Sequence, residues 1–564
     1  MMTDRDTNTV KIGLIVPSRR LPVWQVEAIK RLFANDKIQI SIAYGLSYTA
    51  STDEQYPMFQ RLNRIAQLLL KFDQHLFSKS NRFGSNALEL VEIPEDEFLP
   101  PFKWQHDTNG CRAETLHELA RAEIEGANLD ILFDLGACLT KEDACLARYG
   151  IWRHVHHPTL EYESCLPGVF ESIYSQPVTG TRLEVILPNS KNSITVASSY
   201  STTYDLSPFV NRSNSAWPAI AFLEREANKL RLHGANRYFS DARKKNSGPN
   251  DVVEKAGSLQ GITRAVPLWV RYSWKIFLAL IEERTRQDQW YLLFDLLDSD
   301  EFDLDDFDVR RFRSIIPPAD EFWADPHVFR KGDIYYVFIE VYSHRKEKGH
   351  ISVIEIDRLG NVSDPVLVLE QDYHLSYPMI IVEDDEVYML PETKGNRTIE
   401  IYRCVRFPHE WKLEMTLMED VMATDATPFF HNGKWWMFVA MTQSNNAACT
   451  EELFLFYSDQ LLSNRWTSHP QNPVVTDVRS ARPAGKIFSQ NDKLIRPSQD
   501  CSYRYGYGLV FNEITMLSEN SYEEKRVTMI RPTWADKVKG VHSFSSANSI
   551  VLLDALKSAR RTTR

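Results

Sequence analysis

The feature that most constrains the fold is a strand-turn-strand phrase that recurs about every 50 residues in the second half of the chain. Its first copy, residues 322–340, runs as an alternating aromatic and β-branched segment into a turn at Gly332 and out again, which is the pattern of a tight hairpin. Further copies place their turns at Asp384, Asn432 and Asn491, at intervals of 52, 48 and 59 residues. This is the length of one four-stranded propeller blade.

A fifth blade would close the ring. Residues 541–553 supply only part of it, and the missing strand is predicted at 289–294, just before the first full blade. Pairing that strand with the end of the chain would remove a free sheet edge. We therefore predict an all-β, five-bladed propeller over residues 289–557, followed by a tail at 558–564.

The chain is too long for one hydrophobic core, so a multidomain protein is expected from its 564 residues. A net charge of −11 argues against nucleic acid as a partner. The seven cysteines form no CxxC pair, and neither an apolar leader nor an apolar run of about 18 residues is present. These features favour a cytoplasmic protein with reduced thiols and no membrane span.

The first domain, predicted at 1–235, opens as strand, helix and strand. This order favours an α/β fold with a Rossmann-type parallel sheet. No glycine-rich phosphate loop opens its helices, so no nucleotide site is predicted from such a motif. Residues 47–85 are predicted to be a helical insertion. Strands are predicted at 10–16, 38–44, 129–136 and 150–157, and helices at 21–32 and 113–125.

The order of segments 129–136, 154–158, 166–173 and 179–183 resembles the N-terminal domain of the folate-dependent formyltransferases. The resemblance implies an Asn-x-His pair and a distant Asp that together handle formyl transfer. His156 matches the family histidine, but His154 stands in the asparagine position, and residues 187–193 contain no carboxylate. We expect a degenerate site that binds no folate, on a fold that serves as a scaffold or acceptor-binding domain. N-formyl transfer to a sugar nucleotide is the alternative.

The three histidines at 154, 156 and 157 could hold a metal by spacing alone. No cysteine or carboxylate cluster lies near them in the sequence, so no metal site is predicted.

Residues 236–288 are predicted to link the domains, first as a polar loop and then as a helix over 265–284. In this helix Trp274, Phe277 and other aromatic or aliphatic residues alternate with Arg271 and Lys275. Packing between the domains is the preferred interpretation. Peripheral contact with a membrane surface is the alternative, because such helices also lie on bilayers.

Polar residues recur at equivalent places in the propeller repeats, where the surrounding pattern is apolar. Because the inner strands of a propeller converge, these side chains are expected to share one acidic central pocket. Each has a simpler explanation: Asp325 before a proline could cap a turn, and the two glutamates could be exposed strand ends. The residues are Asp325, Tyr377, Asp425 and Arg482 before the turns, and Glu340, Glu392, Gln499 and Asp500 after them.

The propeller resembles those of the arabinanase, xylosidase and invertase-type glycosidases through Ala324-Asp325-Pro326 and Asp425. The resemblance implies a nucleophile or base at Asp325 and a carboxylate at Asp425 that tunes the acid. An arginine, Arg482, stands where the general acid is expected. Since glycoside hydrolysis needs two carboxyl groups, Glu392 is the candidate replacement.

A closer resemblance is to the propeller-like domain of the plant glucosamine inositolphosphorylceramide transferases, and to bacterial proteins that join it to a formyltransferase-like first half. It extends over about residues 10–557. The phrases that carry it are 322–326, 374–378, 389–392, 481–485 and 499–507.

These observations favour a glycosyltransferase of surface polysaccharide or glycolipid synthesis. Its substrate would be a sugar or glycolipid and its donor a nucleotide sugar. Asp325 would act as base or nucleophile, Asp425 and Glu392 would organise the sugar, and Arg482 would bind the donor phosphate. The further substrate-binding candidates are Glu340, His374, Tyr377, Gln499, Asp500 and His542.

Two alternatives remain at this stage. One is a glycoside hydrolase that uses Asp325 and Glu392. The other is a protein that binds glycans without catalysis and stacks them on Tyr377, Trp435 and Trp436.

Overall fold

The chain divides into two compact units, Met1–Ser273 and Trp274–Arg564, in a computed structural model. The predictions for 157, 47–63, 78–85 and 113–117 fall outside the part of the chain that the structure describes. The described residues are 9–45, 64–77, 86–94, 98, 102–104, 118–136, 139–156, 168–246, 266–298, 302–442 and 448–561.

The N-terminal unit alternates strands and helices, as predicted from its opening. Its strands are β1 (Val10–Val16), β2 (Arg20–Pro22), β3 (Ile38–Gly45), β4 (Leu90–Glu92), β5 (Lys103–Trp104), β6 (Ile131–Asp134), β7 (Ile151–Val155), β8 (Val178–Ile186) and β9 (Ile194–Thr202). Its helices are α1 (Val23–Ala34), α2 (Arg64–Phe77), α3 (Glu118–Gly126), α4 (Val169–Tyr174), α5 (Pro208–Ala216), α6 (Phe222–His233) and α7 (Ala235–Asn246). Helix α8 (Val266–Thr285) crosses the boundary between the units.

Seven strands form one sheet in the order β5-β3-β1-β6-β7-β8-β9. The pairs from β5 to β7 are parallel, whereas β7 with β8 and β8 with β9 are antiparallel. The prediction of a parallel sheet is therefore wrong at this edge. The connection at 187–193 is too short for a crossover helix, so β8 and β9 can only form a hairpin.

The parallel strands are apolar because both faces of the sheet are covered. Ile12, Leu14, Ile131 and Leu132 are all inaccessible to solvent. Residues 236–246, expected to begin the linker, instead belong to α7, which stacks Tyr238 on Trp152. These buried aromatics explain why this segment folds with the first unit.

The C-terminal unit is a five-bladed β-propeller, as the repeat predicts. Four blades are sheets of four consecutive strands. They are β12 (Glu321–Lys331), β13 (Ile334–Ser343), β14 (Lys348–Asp357) and β15 (Val366–Leu369); β16 (Ser376–Glu383), β17 (Glu386–Glu392), β18 (Thr398–Arg406) and β19 (Glu410–Glu419); β20 (Ala423–His431), β21 (Lys434–Met441), β22 (Leu453–Ser458) and β23 (Thr467–Ser468); and β24 (Phe488–Gln490), β25 (Lys493–Asp500), β26 (Gly508–Leu517) and β27 (Tyr522–Ile530).

The fifth blade joins both ends of the unit. The first strand of the unit, β10, pairs antiparallel with the last, β30, from Arg286 opposite Arg560 to Leu296 opposite Ile550. The predicted closure is thus confirmed, with both strands longer than expected. This blade consists of β10 (Arg286–Leu296), β11 (Arg313–Ile315), β28 (Val538–Gly540), β29 (Phe544–Ala547) and β30 (Ile550–Arg560).

The predicted turn residues have the backbone that tight hairpins need. Gly332 has a φ of 64°, and Asp384, Asn432 and Asn491 have φ values near 50°, each in the left-handed region. Glycine, asparagine and aspartate adopt this region most readily, which is why they recur at the turns. Asn548, with a φ of 50°, is the corresponding turn residue of the fifth blade.

Within the described residues, none of the helices has the length and hydrophobicity that a crossing of the bilayer requires.

Shortening one buried side chain of β30 tests whether this closing strand stabilises the ring. Leu552 on β30 is fully buried against Leu292 and Ile339, so Leu552→Ala should lower the free energy of unfolding by about 2–5 kcal/mol. Leu367→Ala, at an exposed position, should change it by no more than about 0.5 kcal/mol. Differential scanning calorimetry of the propeller transition measures both. Equal costs would contradict the closure.

Candidate functional site

Three inner strands of the propeller bulge at equivalent places, and the predicted residues occupy those bulges. Asp325, Tyr377 and Asp425 have φ values of 51°, 46° and 53° and interrupt the pairing of their strands. A non-glycine residue held in this region costs on the order of 1–3 kcal/mol, and such strain concentrates at functional sites. All three side chains are buried.

The inner strands of the other two blades break at a corresponding place in the repeat. In the fourth blade the break lies at Gly485, which has a φ of 149°. In the fifth, the break between β28 and β29 leaves the backbone N–H groups of His542 and Ser543 without a strand partner. Both donate instead to the carboxylate of Asp554, at 2.9 and 3.1 Å.

Asp325 is the centre of one group of contacts. Its Oδ1 accepts a hydrogen bond from the Ser543 hydroxyl and lies 3.3 Å from His542 Nε2. Its Oδ2 accepts from the backbone N–H of Tyr377 at 3.2 Å. Burial raises the pKa of Asp325 to about 6, although the nearby His542 acts in the opposite direction.

Asp554 holds the other side of His542. Its Oδ2 lies 2.8 Å from His542 Nδ1 and accepts the backbone N–H of Asp325 at 3.0 Å. Burial disfavours the charge of Asp554, but His542 and these hydrogen bonds hold the pKa of this carboxyl below its usual range. Among the described residues, Asp325, His542 and Asp554 are the one trio of potential metal ligands close enough to share an ion. The imidazole itself bridges the two carboxylates at these distances.

Asp425 anchors a second group. The guanidinium of Arg482 donates from Nε to Oδ2 at 2.5 Å and from Nη2 to Oδ1 at 3.1 Å, a two-pronged ion pair. Arg482 Nη2 also donates to Glu392 at 3.3 Å. The Gln499 amide adds a hydrogen bond to Asp425 at 3.0 Å.

In this second group, the pKa of Glu392 is raised further than that of Asp325. Burial raises the pKa of Glu392 to about 8, partly offset by the charge of Arg482. Burial also opposes the charge of Arg482, but Asp425 raises the pKa of the guanidinium well above its usual value. Near pH 7, Asp325 is therefore mainly ionised while Glu392 mainly keeps its proton.

Glu340 lies beside His374, whose Nε2 is 3.4 Å from its Oε1. The Nδ1 of His374 accepts the backbone N–H of Gly349 at 3.0 Å, so Nε2 carries the imidazole proton. Burial, followed by the charges of Asp325 and Glu392, raises the pKa of Glu340 well above its usual value. Burial also lowers the pKa of His374, so both shifts favour the uncharged form of the pair.

Tyr377 connects the two groups. Its backbone N–H bonds Asp325, while its hydroxyl lies 2.8 Å from the Thr427 hydroxyl on the strand of Asp425. Because Tyr377 is fully buried, it cannot serve as an exposed sugar-stacking surface. Trp435 and Trp436 are also buried in the cores between blades, which contradicts the stacking role predicted for them.

The exposed aromatic at this site is Tyr505, which the sequence did not single out. Its side chain is 42% exposed. Its ring lies 4.9 Å from the Arg482 guanidinium and 5.3 Å from the His542 ring. Tyr505 is therefore the residue best placed to offer a flat apolar face to a sugar.

Asp500 does not join either group. It accepts the backbone N–H of Ser502 at 2.9 Å, and its electrostatic neighbours are Asp477 and Arg526. Successive strand residues point to opposite faces, so Gln499 faces Asp425 while Asp500 faces away. The contacts give Asp500 a turn-stabilising role rather than the predicted substrate contact.

The two histidines singled out from the sequence, His154 and His156, lie at the end of β7 with their ring centroids 6.4 Å apart. His154 is packed among the rings of Trp24, Phe133 and Phe222, and burial lowers its pKa to about 3. His156 contacts the Thr181 hydroxyl through Nδ1 at 3.0 Å. His154 is therefore neutral and serves as part of the core.

Residues 314–557 match the family model described as the N-terminal part of glucosamine inositolphosphorylceramide transferase 1. The propeller therefore resembles the N-terminal part of these proteins. The transferase of Oryza sativa subsp. japonica is 31% identical over 211 residues, 37% of this chain and 28% of the relative. That of Arabidopsis thaliana is 32% identical over 209 residues, 36% and 27% of the two chains. The chain thus spans less than a third of the length of these relatives.

Similar solved structures include glycoside hydrolases. A family 117 enzyme of Zobellia galactanivorans shares 11% identity at a TM-score of 0.31, covering 48% of this chain and 90% of its own. A family 43 β-xylosidase/α-arabinofuranosidase from a compost metagenome shares 14% identity at a TM-score of 0.33, covering 44% and 93%.

The pKa of Glu392 predicts how stability depends on pH. Between about pH 5 and pH 8 the folded state keeps a proton on Glu392 that the unfolded state has released, so the free energy of unfolding falls as pH rises. Glu392→Gln removes this group, and we expect a shallower fall across the same window. Calorimetry at several pH values measures it, with the exposed Glu386→Gln as control. Equal slopes in all three proteins would rule out the assigned protonation.

Proposed function

We propose that the propeller pocket catalyses glycosyl transfer to a hydroxyl group. The observation that carries this proposal is the pair of buried carboxyls with separated ionisation, Asp325 with a pKa of about 6 and Glu392 with one of about 8. One group is then a base and the other an acid at the same pH, which is what bond exchange at an anomeric carbon needs. The match of this region to the N-terminal part of proteins named as transferases is consistent with the same reaction class.

In the proposed reaction the ionised Asp325 takes the proton of the acceptor hydroxyl, whose oxygen forms the new bond to the anomeric carbon. The bond to the leaving oxygen breaks with its electron pair, and Glu392 supplies the proton to that oxygen. Charges and protons balance without any further reactant. Asp425 and Arg482 fix Glu392 in place, and Tyr505 stacks on the sugar.

The geometry also changes the expected role of Arg482. Its guanidinium is engaged by Asp425 and Glu392 and its side chain is only 11% exposed. A donor phosphate would have to compete with two carboxylates for it. We therefore propose that Arg482 positions the carboxyls, and that a nucleotide sugar, if it is the donor, places its phosphates outside this ion pair.

The acidic pocket suits a donor with a cationic or neutral sugar. The relatives' name couples glucosamine with inositolphosphorylceramide, so an amino sugar as donor and a polyol-bearing lipid as acceptor are the substrates we propose first. The amine of such a sugar would be attracted by the carboxylates of Asp325, Asp425 and Asp554, which outnumber the two cations Arg482 and His542.

Hydrolysis is the second candidate, and the protonated Glu392 favours it. A leaving alcohol needs a proton, whereas a leaving nucleotide does not. Water would then replace the acceptor hydroxyl at Asp325.

Leaving-group dependence tests these roles. Asp325→Asn should lower turnover by about 10²–10⁴-fold with every donor, because an amide cannot take the acceptor proton. Glu392→Gln should lower it comparably only for donors whose leaving alcohol is basic, and far less for dinitrophenyl glycosides. Product analysis with nucleotide sugars, aryl glycosides and hydroxyl acceptors measures this. Asp333→Asn, exposed on the first blade, is the control. Full activity of Asp325→Asn would refute the proposal.

For the N-terminal unit we propose a formyltransferase-like fold without formyl transfer. The β-α-β opening and the strand order β3-β1-β6-β7 support the fold. The neutral, half-buried His154 in place of an asparagine and the absence of a carboxylate from 187–193 support the loss of activity.

We further propose that α8 lies on an anionic lipid surface. Val270, Trp274, Phe277 and Ile281, spaced along one face of the helix, are each between 44% and 64% exposed. Lys539 pairs with Glu282, and Arg284 near the helix end is exposed, which suits anionic headgroups. This would bring a lipid acceptor to the enzyme.

Sedimentation with phosphatidylcholine vesicles containing about 30% phosphatidylserine tests the surface. The Trp274→Ser, Phe277→Ser double variant should bind several-fold less than wild type, because it removes the two exposed aromatics. The Leu359→Ser, Leu367→Ser variant, which alters exposed apolar residues of the propeller, should bind as wild type does. Equal binding by all three would refute the lipid contact. So would a dimer that forms as the protein concentration rises and buries this face of α8.

A further inference from the structure

The last strand of the propeller carries one buried charge that the reaction above does not use. Residues 550–556 are apolar except for Asp554, which is fully inaccessible to solvent. A buried carboxylate without partners would be strongly destabilising. Asp554 has four: the backbone N–H groups of Asp325, His542 and Ser543, and the Nδ1 of His542.

These contacts fix the orientation of His542. With Nδ1 held 2.8 Å from Asp554, the opposite nitrogen, Nε2, faces Asp325 Oδ1 at 3.3 Å. Trp290 packs on the imidazole, with ring centroids 4.1 Å apart, and Tyr505 meets it edge-on. The ring therefore has one position, with a carboxylate at each nitrogen.

Only some protonation states satisfy this arrangement. A neutral imidazole protonated at Nδ1 would turn the lone pair of Nε2 toward an ionised Asp325, and the two would repel. An imidazolium presents positive charge to both carboxylates, 2.8 Å from Asp554 and 3.3 Å from Asp325. The carboxylates of Asp554 and Asp325 raise the pKa of His542 despite its burial, in agreement with the charged ring.

The same contacts occupy most of the lone-pair sites of the Asp325 carboxylate. Its Oδ1 faces the Ser543 hydroxyl and His542, and its Oδ2 accepts from the Tyr377 backbone. A carboxylate has about four lone-pair sites, so roughly one remains for substrate. The bond from the Asp325 backbone to Asp554 also holds the strained φ of the bulge.

We propose that Asp554 and His542 form a buried positioning pair that fixes both the charge and the aim of Asp325. This inference rests on the proposed role of Asp325 as the base. His542 lies beside the carboxylate, where its two acidic neighbours favour the charged ring, and Asp554 holds that ring in place. Neither residue touches substrate.

Other charged groups also act on the pair. Asp425 favours the charged form of His542. The Tyr505 ring contacts both the His542 imidazole and the Arg482 guanidinium. Burial and acidic neighbours raise the pKa of Glu340, which favours its uncharged form. The two carboxylates in contact with His542 therefore dominate its titration.

The test follows the His542 imidazole by NMR in full-length protein labelled at histidine Cε1, with His542→Gln identifying its signal among the 15 histidines. In wild type the ring should stay charged above pH 7. In Asp554→Asn, which keeps an oxygen for the backbone donors but loses the charge, its titration midpoint should fall by about one pH unit or more, a tenfold change in ionisation. Asp73→Asn, another buried aspartate in the N-terminal unit, should leave it unchanged.

The pH profile of kcat/KM then links the pair to the reaction. Asp325 should stay protonated to higher pH in Asp554→Asn, so the acid limb should move upward, with about a tenfold loss at pH 7. If Asp554→Asn alters the His542 titration but the wild-type protein shows no turnover, the pair stands and the proposed function is refuted. An unchanged titration in folded Asp554→Asn overturns the pair. If that variant does not fold, a neutral His542 at pH 7 in wild type overturns it equally.

Discussion

The pairing of β10 with β30 is the interaction on which the candidate site depends. It joins the beginning and the end of the propeller over eleven residues of each strand, from Arg286 to Leu296 and from Ile550 to Arg560. It also places Asp554, on the last strand, within hydrogen-bonding distance of Asp325 on the first full blade. Closing the ring and completing the site are therefore one event, because the fifth blade supplies His542, Ser543 and Asp554 together.

Electrostatics then divides the pocket into two halves. In one, an imidazole between Asp325 and Asp554 favours an ionised base. In the other, a single guanidinium serves both Asp425 and Glu392, and it compensates Asp425 far better than Glu392, since two of its three short contacts go to Asp425. The unequal distribution of these two cations is what gives Asp325 and Glu392 different pKa values. Burial provides the low dielectric in which such small differences in partners have large effects.

The repeat predicted the propeller, its closure and most of the site, because bulge and turn residues recur at fixed offsets in each blade. Asp325, Tyr377 and Asp425 were found from that recurrence, and the structure gives all three the same left-handed backbone. Asp554 was missed because the partial fifth copy was recognised only over residues 541–553, which end one residue before it. Its signal was present, however, as one carboxylate in an otherwise apolar strand.

Orientation and exposure were harder to predict than position. Asp500 and Gln499 are neighbours in the sequence, yet only Gln499 reaches Asp425. Trp435 and Trp436 pack inside the propeller, whereas the exposed ring is Tyr505 in a loop. The antiparallel edge of the N-terminal sheet also escaped prediction, because strand periodicity does not reveal direction. Each miss concerns where a side chain or strand points, which packing between distant segments decides.

The central claim is that the propeller pocket recognises a sugar through Asp325 and its neighbours. A thermal-shift screen of the intact protein against nucleotide sugars, free nucleotides, folates and simple oligosaccharides tests it most directly, since a ligand that binds only the folded state raises its apparent stability. The account predicts stabilisation by a sugar-containing ligand that is lost in Asp325→Asn and kept in Asp333→Asn. Stabilisation by a folate alone, or an equal response to sugars in Asp325→Asn, would contradict it.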